Sequence, residues 1–108
     1  MADGIIDLTS ANFGSITSQK GVVLVDFWAP WCGPCKMLGP VLAKVAAALK
    51  DKAVIAKVNV DENQELAAQF QVTSIPTLFI FKDGEPAKQL MGLKSEADIT
   101  KAIEEAGP

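Results

Sequence analysis

Two stretches of nearly continuous apolar, often β-branched residues stand out in this chain of 108 residues. Residues 22–28 and 53–60 each contain a single charged side chain, Asp26 in the first and Lys57 in the second. Runs of this kind are typical of strands that are buried on both faces of a sheet. The first run is therefore predicted to be the central strand of a sheet, and the second to be its buried neighbour.

Shorter patterns predict the remaining strands. Residues 5–9 form a short apolar run that fits an edge strand, and residues 77–81 form a further strand. The Asp83-Gly84 pair that follows is a strong signal for a hairpin turn. Residues 87–91 are therefore expected to return antiparallel as a second edge strand, where Pro86 just before them does little harm.

The apolar residues after position 33 recur at helical spacing and predict one long helix. It is expected to begin around Pro34, since proline is tolerated in the first turn of a helix, and to run to about Leu49. Pro40 inside this helix removes one hydrogen bond and predicts a kink, and Gly39 beside it costs about 1 kcal/mol relative to alanine. Three shorter helices are expected from Ser10 or Asn12 to about residue 18, over residues 65–70, and from a Ser95/Asp98 capping box to about residue 105.

The order of these elements is βαβαβ, followed by a hairpin and a last helix. Because crossover connections are right-handed, the first three strands are expected to lie parallel with helices on both faces, and the hairpin adds an antiparallel pair. The sequence thus predicts an α/β fold with a central mixed sheet, three parallel strands plus an antiparallel hairpin, flanked by helices on both faces. No repeat, linker or low-complexity segment interrupts the chain, so a single domain over residues 1–108 is expected.

The composition narrows the class of protein. With 49% hydrophobic and 21% charged residues, the chain is an ordinary soluble globular sequence. Its net charge of −3 and the lack of a basic run make nucleic acid a poor partner. The first seven residues have neither a basic nor an apolar leader pattern, and no apolar run of about 18 residues follows. A cytoplasmic monomer without a membrane partner is therefore expected.

The only two cysteines, Cys32 and Cys35, are separated by Gly33 and Pro34, which supply the tight turn that a disulfide at this spacing needs. Cys32 would lie at the N-terminus of the long helix, where unpaired N–H groups and the helix dipole favour a thiolate. Cys35 would lie one turn deeper. The pair is interpreted as a redox site in which Cys32 is the exposed nucleophile and Cys35 the buried thiol that resolves a mixed disulfide.

Other uses of a C-x-x-C pair fit the sequence less well. A structural zinc site needs four Cys or His ligands, and an iron–sulfur cluster also needs more thiolates, whereas this chain has two cysteines and no histidine. No metal or other cofactor is therefore expected. A purely structural disulfide would close so short a loop that it contributes only about 2 kcal/mol. In a reducing compartment a pair at this spacing is more often catalytic.

Asp26 and Lys57 each interrupt an apolar strand, and their proximity on neighbouring strands would best explain both charges. Burial of a carboxylate is costly and should raise the pKa of Asp26, which is expected to accept a proton from Cys35 through water, with Lys57 beside it. The alternatives are that Asp26 forms a cap or reaches water and that Lys57 lies at the surface. Trp31, on the loop before the helix, is expected to face solvent and contact substrate, whereas Trp28 should belong to the core.

The segment Trp31-Cys32-Gly33-Pro34-Cys35-Lys36, preceded by a strand that ends Val-Asp-Phe-Trp-Ala, resembles the thioredoxin family, and Ile75-Pro76-Thr77 agrees with it. The resemblance covers nearly the whole chain. It implies the thioredoxin fold, in which the central strand lies between the third and fourth strands. It further implies a protein disulfide reductase that cycles between a Cys32/Cys35 dithiol and disulfide, binds no cofactor, acts on protein disulfides and is recharged by thioredoxin reductase.

The resemblance also ranks the alternatives. Gly33-Pro34 between the cysteines is the reductase pattern of the family, and a disulfide oxidant or isomerase is the rival within the enzyme class. A binding or scaffold module that uses the fold without the thiols is the rival outside it. Three residues depart from the family: Gly39 should loosen the helix beside Pro40, Phe70 stands where tyrosine is frequent, and Leu93 stands where a smaller residue is common. Leu93 is expected to narrow the groove and so affects the substrate range, not the chemistry.

Two further loops carry expectations from the family. The Ile75-Pro76 bond would be trans by its general frequency, but the resemblance implies that it is cis and lies against the cysteines. This arrangement leaves the backbone of Ile75 free to pair with an extended substrate. Gly92, in Met91-Gly92-Leu93, matches a loop that completes an apolar groove and allows close backbone approach, unless it simply ends a strand.

Overall fold

The computed structural model describes residues 4–107 of the chain. Residues 1–3 and 108 lie outside the described residues. The predicted domain includes all four of them, and the stretch that is expected to lack a leader pattern includes residues 1–3. None of the helices in the described range has the length and apolar character needed to cross a membrane. The described elements are, in order, β1 (Ile5–Leu8), α1 (Phe13–Thr17), β2 (Val22–Trp28), α2 (Gly33–Ala48), β3 (Ala53–Asn59), α3 (Gln64–Gln69), β4 (Thr77–Lys82), β5 (Glu85–Met91) and α4 (Glu96–Ala106).

The strands of this part of the chain form one mixed sheet with β2 at its centre. The order across the sheet is β1-β3-β2-β4-β5. The strands β1, β3 and β2 are parallel, whereas β4 runs antiparallel to both β2 and β5. The predicted sheet is confirmed, including the central position of β2 between β3 and β4 and the two edge strands. The carboxyl end of β2 therefore lies at the middle of one edge of the sheet, and it is beyond these strand ends that α/β sheets bind ligands.

Alternate residues of β2 pack into separate cores on the two faces of the sheet. Val23, Val25 and Phe27 belong to a core shared with α1 and α3. Leu24 belongs to the opposite core, which it shares with α2 and α4. Because successive side chains of a strand point to opposite faces, Asp26 lies on the same face as Leu24. The central strand thus carries one carboxyl group into the face that α2 covers.

Phe70 completes an aromatic cluster in the core beneath α1 and α3. Its ring centroid lies 5.2 Å from that of Phe13 and 5.5 Å from that of Phe79, with tilted ring planes. Tilted and edge-to-face pairs of this kind contribute about 0.5–1.5 kcal/mol beyond their buried area. The phenylalanine at this position, where the family often has tyrosine, therefore serves packing.

The helix ends agree with the sequence in part. Asn12 precedes α1, but its side chain does not cap the helix, and its Oδ1 instead accepts the backbone N–H of Thr9 (2.7 Å). The helix α2 begins at Gly33 and continues through Pro40 to Ala48, and a kink near Pro40 stays a prediction. Ser95 caps α4 as predicted, since its Oγ accepts the backbone N–H of Asp98 (3.1 Å).

The hairpin between β4 and β5 is tighter than predicted. β5 begins at Glu85 instead of residue 87, so Pro86 lies inside the strand. The strand accepts it because β5 is an edge strand and the β4–β5 register shifts beside this position, which leaves the missing N–H without a required partner. The two turn residues, Asp83 and Gly84, both have positive φ, 51° and 88°, as a type I′ turn requires.

The turn makes Gly84 a sensitive position. Gly84→Ala should lower the free energy of unfolding by about 1–2 kcal/mol, because an L-residue is disfavoured in the left-handed region. The added Cβ would lie 3.5 Å from Cα of Ser18, an ordinary van der Waals contact, so the cost comes from the backbone conformation. Gly14→Ala is the matched control. Gly14 lies in α1, where a Cβ would meet nothing within 4 Å, so alanine should be neutral or stabilising by up to about 1 kcal/mol. Urea melts measure both, and equal effects would contradict the turn assignment.

Candidate active site

The two cysteines lie where the central strand passes into a helix. After Trp28 ends β2, residues 29–31 form a loop, and the backbone N–H of Cys32 donates to the carbonyl of Ala29 (3.2 Å) to turn the chain. The helix α2 then begins at Gly33. A disulfide joins Cys32 to Cys35, with their Cα atoms 5.2 Å apart, within the usual range for such bonds. The predicted pair is thus assembled at the carboxyl end of β2.

Cys32 is the N-cap residue of α2. Its backbone is extended (φ −87°, ψ 116°), and its Sγ accepts the backbone N–H of Cys35 over 3.1 Å. At this position a helix presents unpaired N–H groups and the positive end of its dipole. Both favour a thiolate on Cys32 once the disulfide is reduced. Gly33 and Pro34 occupy the first turn, where proline needs no hydrogen-bond partner.

The expected difference in exposure between the two cysteines is wrong. Cys32 is 5% exposed and Cys35 is 6% exposed. Trp28 and Ile75 pack around the disulfide, and Ile75 comes from a distant part of the chain that spacing along the sequence could not place there. In the disulfide form, the difference between the two sulfur atoms therefore comes from the helix cap and dipole, and access to solvent contributes little.

The Ile75-Pro76 segment lies against the disulfide. The peptide bond between these residues is cis, as expected. The carbonyl oxygen of Ile75 lies 3.8 Å from Sγ of Cys32. Because β4 begins only at Thr77, the backbone of Ile75 lies outside the sheet ladder. A stretch of peptide backbone beside the disulfide is therefore available to an extended partner.

The segment around Gly92, at the end of β5, is hydrogen-bonded to the Ile75-Pro76 segment. The backbone N–H of Gly92 donates to the carbonyl of Pro76 (2.9 Å), which holds the end of β5 beside the cis proline. Gly92 has a φ of 86°, a backbone conformation that favours glycine. A Cβ at this position would meet nothing within 4 Å, so lack of space is not the reason for glycine here. Its neighbours Met91 and Leu93 are 52% and 43% exposed. They form an apolar rim on this side of the site.

Trp31 lies at the surface, as predicted, with 68% of its area exposed. Its Nε1–H donates to Oδ2 of Asp61 (2.9 Å), and the backbone N–H of Asp61 donates to Oδ1 of Asn59 (2.9 Å). Asp61 thus orients the indole ring while leaving it accessible. The sequence offers no signal for this residue, because an aspartate in a polar loop is ordinary.

Asp26 is buried, 3% exposed, and its Oδ1 has no hydrogen-bond partner. Burial raises the pKa of Asp26 from its ordinary value of 3.8 to about 7, and the charge of Lys57 opposes part of this shift. Lys57 is the register neighbour of Asp26 on β3, as expected, and is partly buried. Within residues 4–107 no direct ion pair joins the two; the Lys57 ammonium group lies 4.2 Å from the centre of the Trp28 ring instead.

A cavity of about 320 Å³ connects Asp26 with the disulfide. Asp26, Lys57 and Cys35 all line it, together with the apolar side chains of Trp28 and Leu42. A water molecule takes up about 30 Å³ in the liquid, so the cavity has room for several between the carboxyl group and Cys35. The arrangement allows a proton to pass from the Cys35 thiol to Asp26 through water.

Elsewhere in the described residues the structure offers no comparable site. A larger cavity of about 420 Å³ lies near Leu49 and Ile103, between the end of α2 and α4, and contains no cysteine. Among the residues that the structure describes, no group of three or more His, Cys, Asp or Glu side chains is placed to hold a metal ion. The redox pair, the buried carboxyl group and the exposed apolar rim therefore occur together at one end of the sheet.

Replacing Asp26 should remove a pH-dependent loss of stability. The native state holds the proton up to about pH 7, whereas the unfolded chain releases it near pH 3.8, so stability falls as the pH rises between these values. The full loss is about 4 kcal/mol at 1.36 kcal/mol per pH unit. Urea melts of the oxidised protein should show this decline in the parent and its absence in Asp26→Asn, which should therefore be the more stable protein above pH 7.

Asp51→Asn is the matched control for this measurement, because Asp51 is an exposed aspartate at the far end of α2. It should keep the pH slope of the parent. An Asp26→Asn variant with the parent's slope would show that the buried carboxyl group is already ionised in the native state at low pH.

Comparisons with known proteins agree with this geometry. The family model described as Thioredoxin matches residues 4–105. The thioredoxin of Staphylococcus saprophyticus is 50% identical over 100 residues, which are 93% of this chain and 95% of that protein. The thioredoxin of Staphylococcus haemolyticus is 48% identical over the same shares of the two chains. A mutant thioredoxin from Halobacterium salinarum NRC-1 superposes with a TM-score of 0.90 at 39% identity, covering 99% of this chain and 94% of that one.

The match extends over most of the chain in sequence and nearly all of it in structure. The fold expected from the resemblance is thereby confirmed. The C-x-x-C pair is intact and joined by a disulfide, so the thiol–disulfide chemistry of the relatives has its reacting atoms here. The chain belongs to the thioredoxin family and is a thiol-disulfide oxidoreductase that reduces protein disulfides.

Proposed function

We propose that Cys32 is the attacking thiol, Cys35 the resolving thiol and Asp26 the proton acceptor in this reaction. The observation that carries the assignment is the different surroundings of the two sulfur atoms. Sγ of Cys32 receives the N–H at the helix cap, whereas Cys35 lines the cavity that contains Asp26. The first setting favours an anion before reaction, and the second favours proton transfer during it.

The proposed reaction consists of two exchanges of sulfur partners. The Cys32 thiolate attacks one sulfur of the substrate disulfide, the Cys32–substrate bond forms, and the other substrate sulfur leaves as a thiolate. Cys35 then gives its proton through water to Asp26, and the resulting thiolate attacks Sγ of Cys32. The mixed disulfide breaks, the second substrate thiolate leaves, and the Cys32–Cys35 disulfide forms. Two electrons have then passed from the protein to the substrate.

Lys57 adjusts the proton acceptor in this proposal. Its positive charge lowers the pKa of Asp26 and so opposes the effect of burial. The resulting pKa of about 7 lies near neutral pH. A general base works best when its pKa lies near the working pH. Trp28 holds the ammonium group in place through a cation–π contact at 4.2 Å.

The proposed substrates are protein disulfides presented on an extended segment. Ile75 supplies backbone outside β4, next to Cys32, and Pro76 keeps that backbone against the disulfide. Gly92 is attached to Pro76 and brings the apolar rim of β5 to the same place. Trp31, directly before Cys32 in the chain, adds a further exposed apolar side chain. Apolar residues flanking the substrate disulfide would be favoured on this surface.

The proposed cycle needs a second protein. A single dithiol holds two electrons, so each turnover must be followed by reduction of the Cys32–Cys35 disulfide, and we assign this step to a separate thioredoxin reductase. The Gly33-Pro34 dipeptide supports the reductive direction through the family pattern. The reaction uses thiols alone and calls for no bound cofactor. Both cysteines belong to the redox site, which supports a reducing, cytoplasmic location, and a monomer without nucleic-acid or membrane partners suffices for this chemistry.

Removing the resolving thiol should trap the intermediate. Cys35→Ser should accumulate a mixed disulfide with protein substrates through Cys32, because serine cannot perform the second exchange. Multiple turnover should fall by at least about 100-fold, since an external thiol must replace an intramolecular one. Non-reducing gels and intact-mass measurement detect the adduct.

Two controls separate the trapping experiment from its alternatives. Cys32→Ser should form no adduct, which identifies the attacking sulfur. A scaffold module would retain its partner in the double variant Cys32→Ser/Cys35→Ser, whereas the proposed reductase would lose covalent capture. Adducts formed equally through Cys35 in Cys32→Ser would show that the roles of the two thiols are assigned wrongly.

The direction of the reaction is tested by equilibration with glutathione. A reductase should have its Cys32–Cys35 disulfide largely formed even in mixtures where glutathione is mostly reduced, because its dithiol is the stronger reductant. The fraction of disulfide is measured by acid quenching and mass spectrometry. With NADPH and a thioredoxin reductase the parent should also reduce insulin disulfides. A dithiol that oxidises only in strongly oxidising mixtures would instead make the protein a disulfide oxidant.

A further inference from the structure

Gly39 lies at the wall of the cavity that contains Asp26. It sits in α2, is partly buried, and lines the cavity together with Lys36 and Pro30, which are both exposed. A Cβ built on Gly39 would meet no atom within 4 Å. The cavity therefore reaches the surface beside Gly39, and a side chain at this position would have open space in front of it.

Asp26 has few other routes to solvent. Its register neighbour on β4 is Leu78, which is fully buried, and its register neighbour on β3 is Lys57. The residues before and after it on β2, Val25 and Phe27, are fully buried in the opposite core. Protons that enter or leave the carboxyl group therefore pass through the cavity, whose volume of about 320 Å³ has room for water.

We propose that Gly39 is a positioning residue that keeps a water path open from solvent to Asp26 and Cys35. The inference rests on the proposed role of Asp26 as the proton acceptor for Cys35. In each cycle Asp26 receives one proton from the Cys35 thiol and must release it to solvent before the next. Water in the cavity carries both transfers, so no further reactant is needed.

The fold itself does not require glycine at this position. Gly39 has no positive φ, and no neighbouring atom would clash with a Cβ. Glycine inside a helix also costs about 1 kcal/mol relative to alanine. Glycine at this position therefore destabilises α2 although no steric constraint requires it. The space that it leaves at the wall of the Asp26 cavity explains its presence.

The test compares two leucine substitutions on the same helix. Gly39→Leu should fill the cavity and slow single-turnover reduction of a protein disulfide near pH 7 by about tenfold, part of the 10²–10⁴ that general acid–base catalysis contributes. Ala43→Leu, one turn further along α2 and outside the cavity lining, should stay within about twofold of the parent. Gly39→Ala, which adds only a methyl group, should lie between the parent and Gly39→Leu. Urea melts should find Gly39→Leu at least as stable as the parent, because leucine favours a helix over glycine.

A double-mutant cycle distinguishes a blocked proton path from a structural effect. In the Asp26→Asn background, Gly39→Leu should cause no further slowing, because the acceptor that it isolates is gone. The charged and titratable groups that face the cavity are Asp26 on β2, Lys57 on β3, and Cys35 and Lys36 on α2. Further burial of Asp26 by Gly39→Leu should move the midpoint of the pH–rate profile upward, a shift that a loosened helix would not produce.

Three outcomes would contradict the proposed role of Gly39, and they can be told apart. Slow Asp26→Asn together with fast Gly39→Leu would overturn the role of Gly39 and leave the role of Asp26 intact. Equal slowing by Gly39→Leu in both backgrounds would show that leucine acts through the structure of α2 and would also overturn the inference. An Asp26→Asn variant as fast as the parent would overturn the proposed proton acceptor, and the inference about Gly39 with it.

Discussion

The hydrogen bond from the backbone N–H of Cys35 to Sγ of Cys32 is the contact on which the rest of the site depends. It exists because the chain leaves a strand that is buried on both faces and enters a helix after a loop of only three residues, 29–31, which makes the next residue, Cys32, the cap of that helix. Because β2 is paired with a strand on each side, this junction lies at the middle of the sheet. The same cap that completes the helix also prepares one sulfur atom, and not the other, to carry negative charge.

Stability and chemistry make opposite demands on the region beneath α2. A buried carboxyl group with an unpartnered oxygen, a cavity beside it and a glycine in the covering helix each reduce the stability of the fold. The two dense cores on the faces of the sheet offset these losses, since the residues of β2 on either side of Asp26 are fully buried among apolar side chains. The polar features are confined to one end of the sheet, where the cysteines need them.

The binding surface is assembled from segments that are far apart in sequence. The cysteine loop, the cis Ile75-Pro76 segment and the end of β5 meet because β4 lies next to β2 and β5 next to β4. Single hydrogen bonds then set the details: Gly92 is attached to Pro76, and Trp31 is attached to Asp61. The exposed apolar side chains therefore lie on hydrogen-bonded segments around a disulfide that is itself nearly buried.

Much of this protein could be derived from the sequence, because its strongest signals are local. The continuous apolar run of β2, the Asp83-Gly84 turn and the C-x-x-C spacing each act over a few residues, and they predicted the central strand, the hairpin and the redox pair. The one charge in each of two buried strands also predicted the buried Asp26 and its neighbour Lys57, since a charge in an apolar run needs an explanation that solvent cannot supply.

What the tertiary structure alone decided concerns contacts between distant segments. The burial of Cys32 under Ile75, the orientation of Trp31 by Asp61, and the open space beside Gly39 depend on which loops meet at the end of the sheet. The early start of β5, with Pro86 inside it, depends on the shift of its register against β4. None of these has a periodic signal along the chain, because hydrophobic periodicity records which face of an element is buried and not which partner buries it.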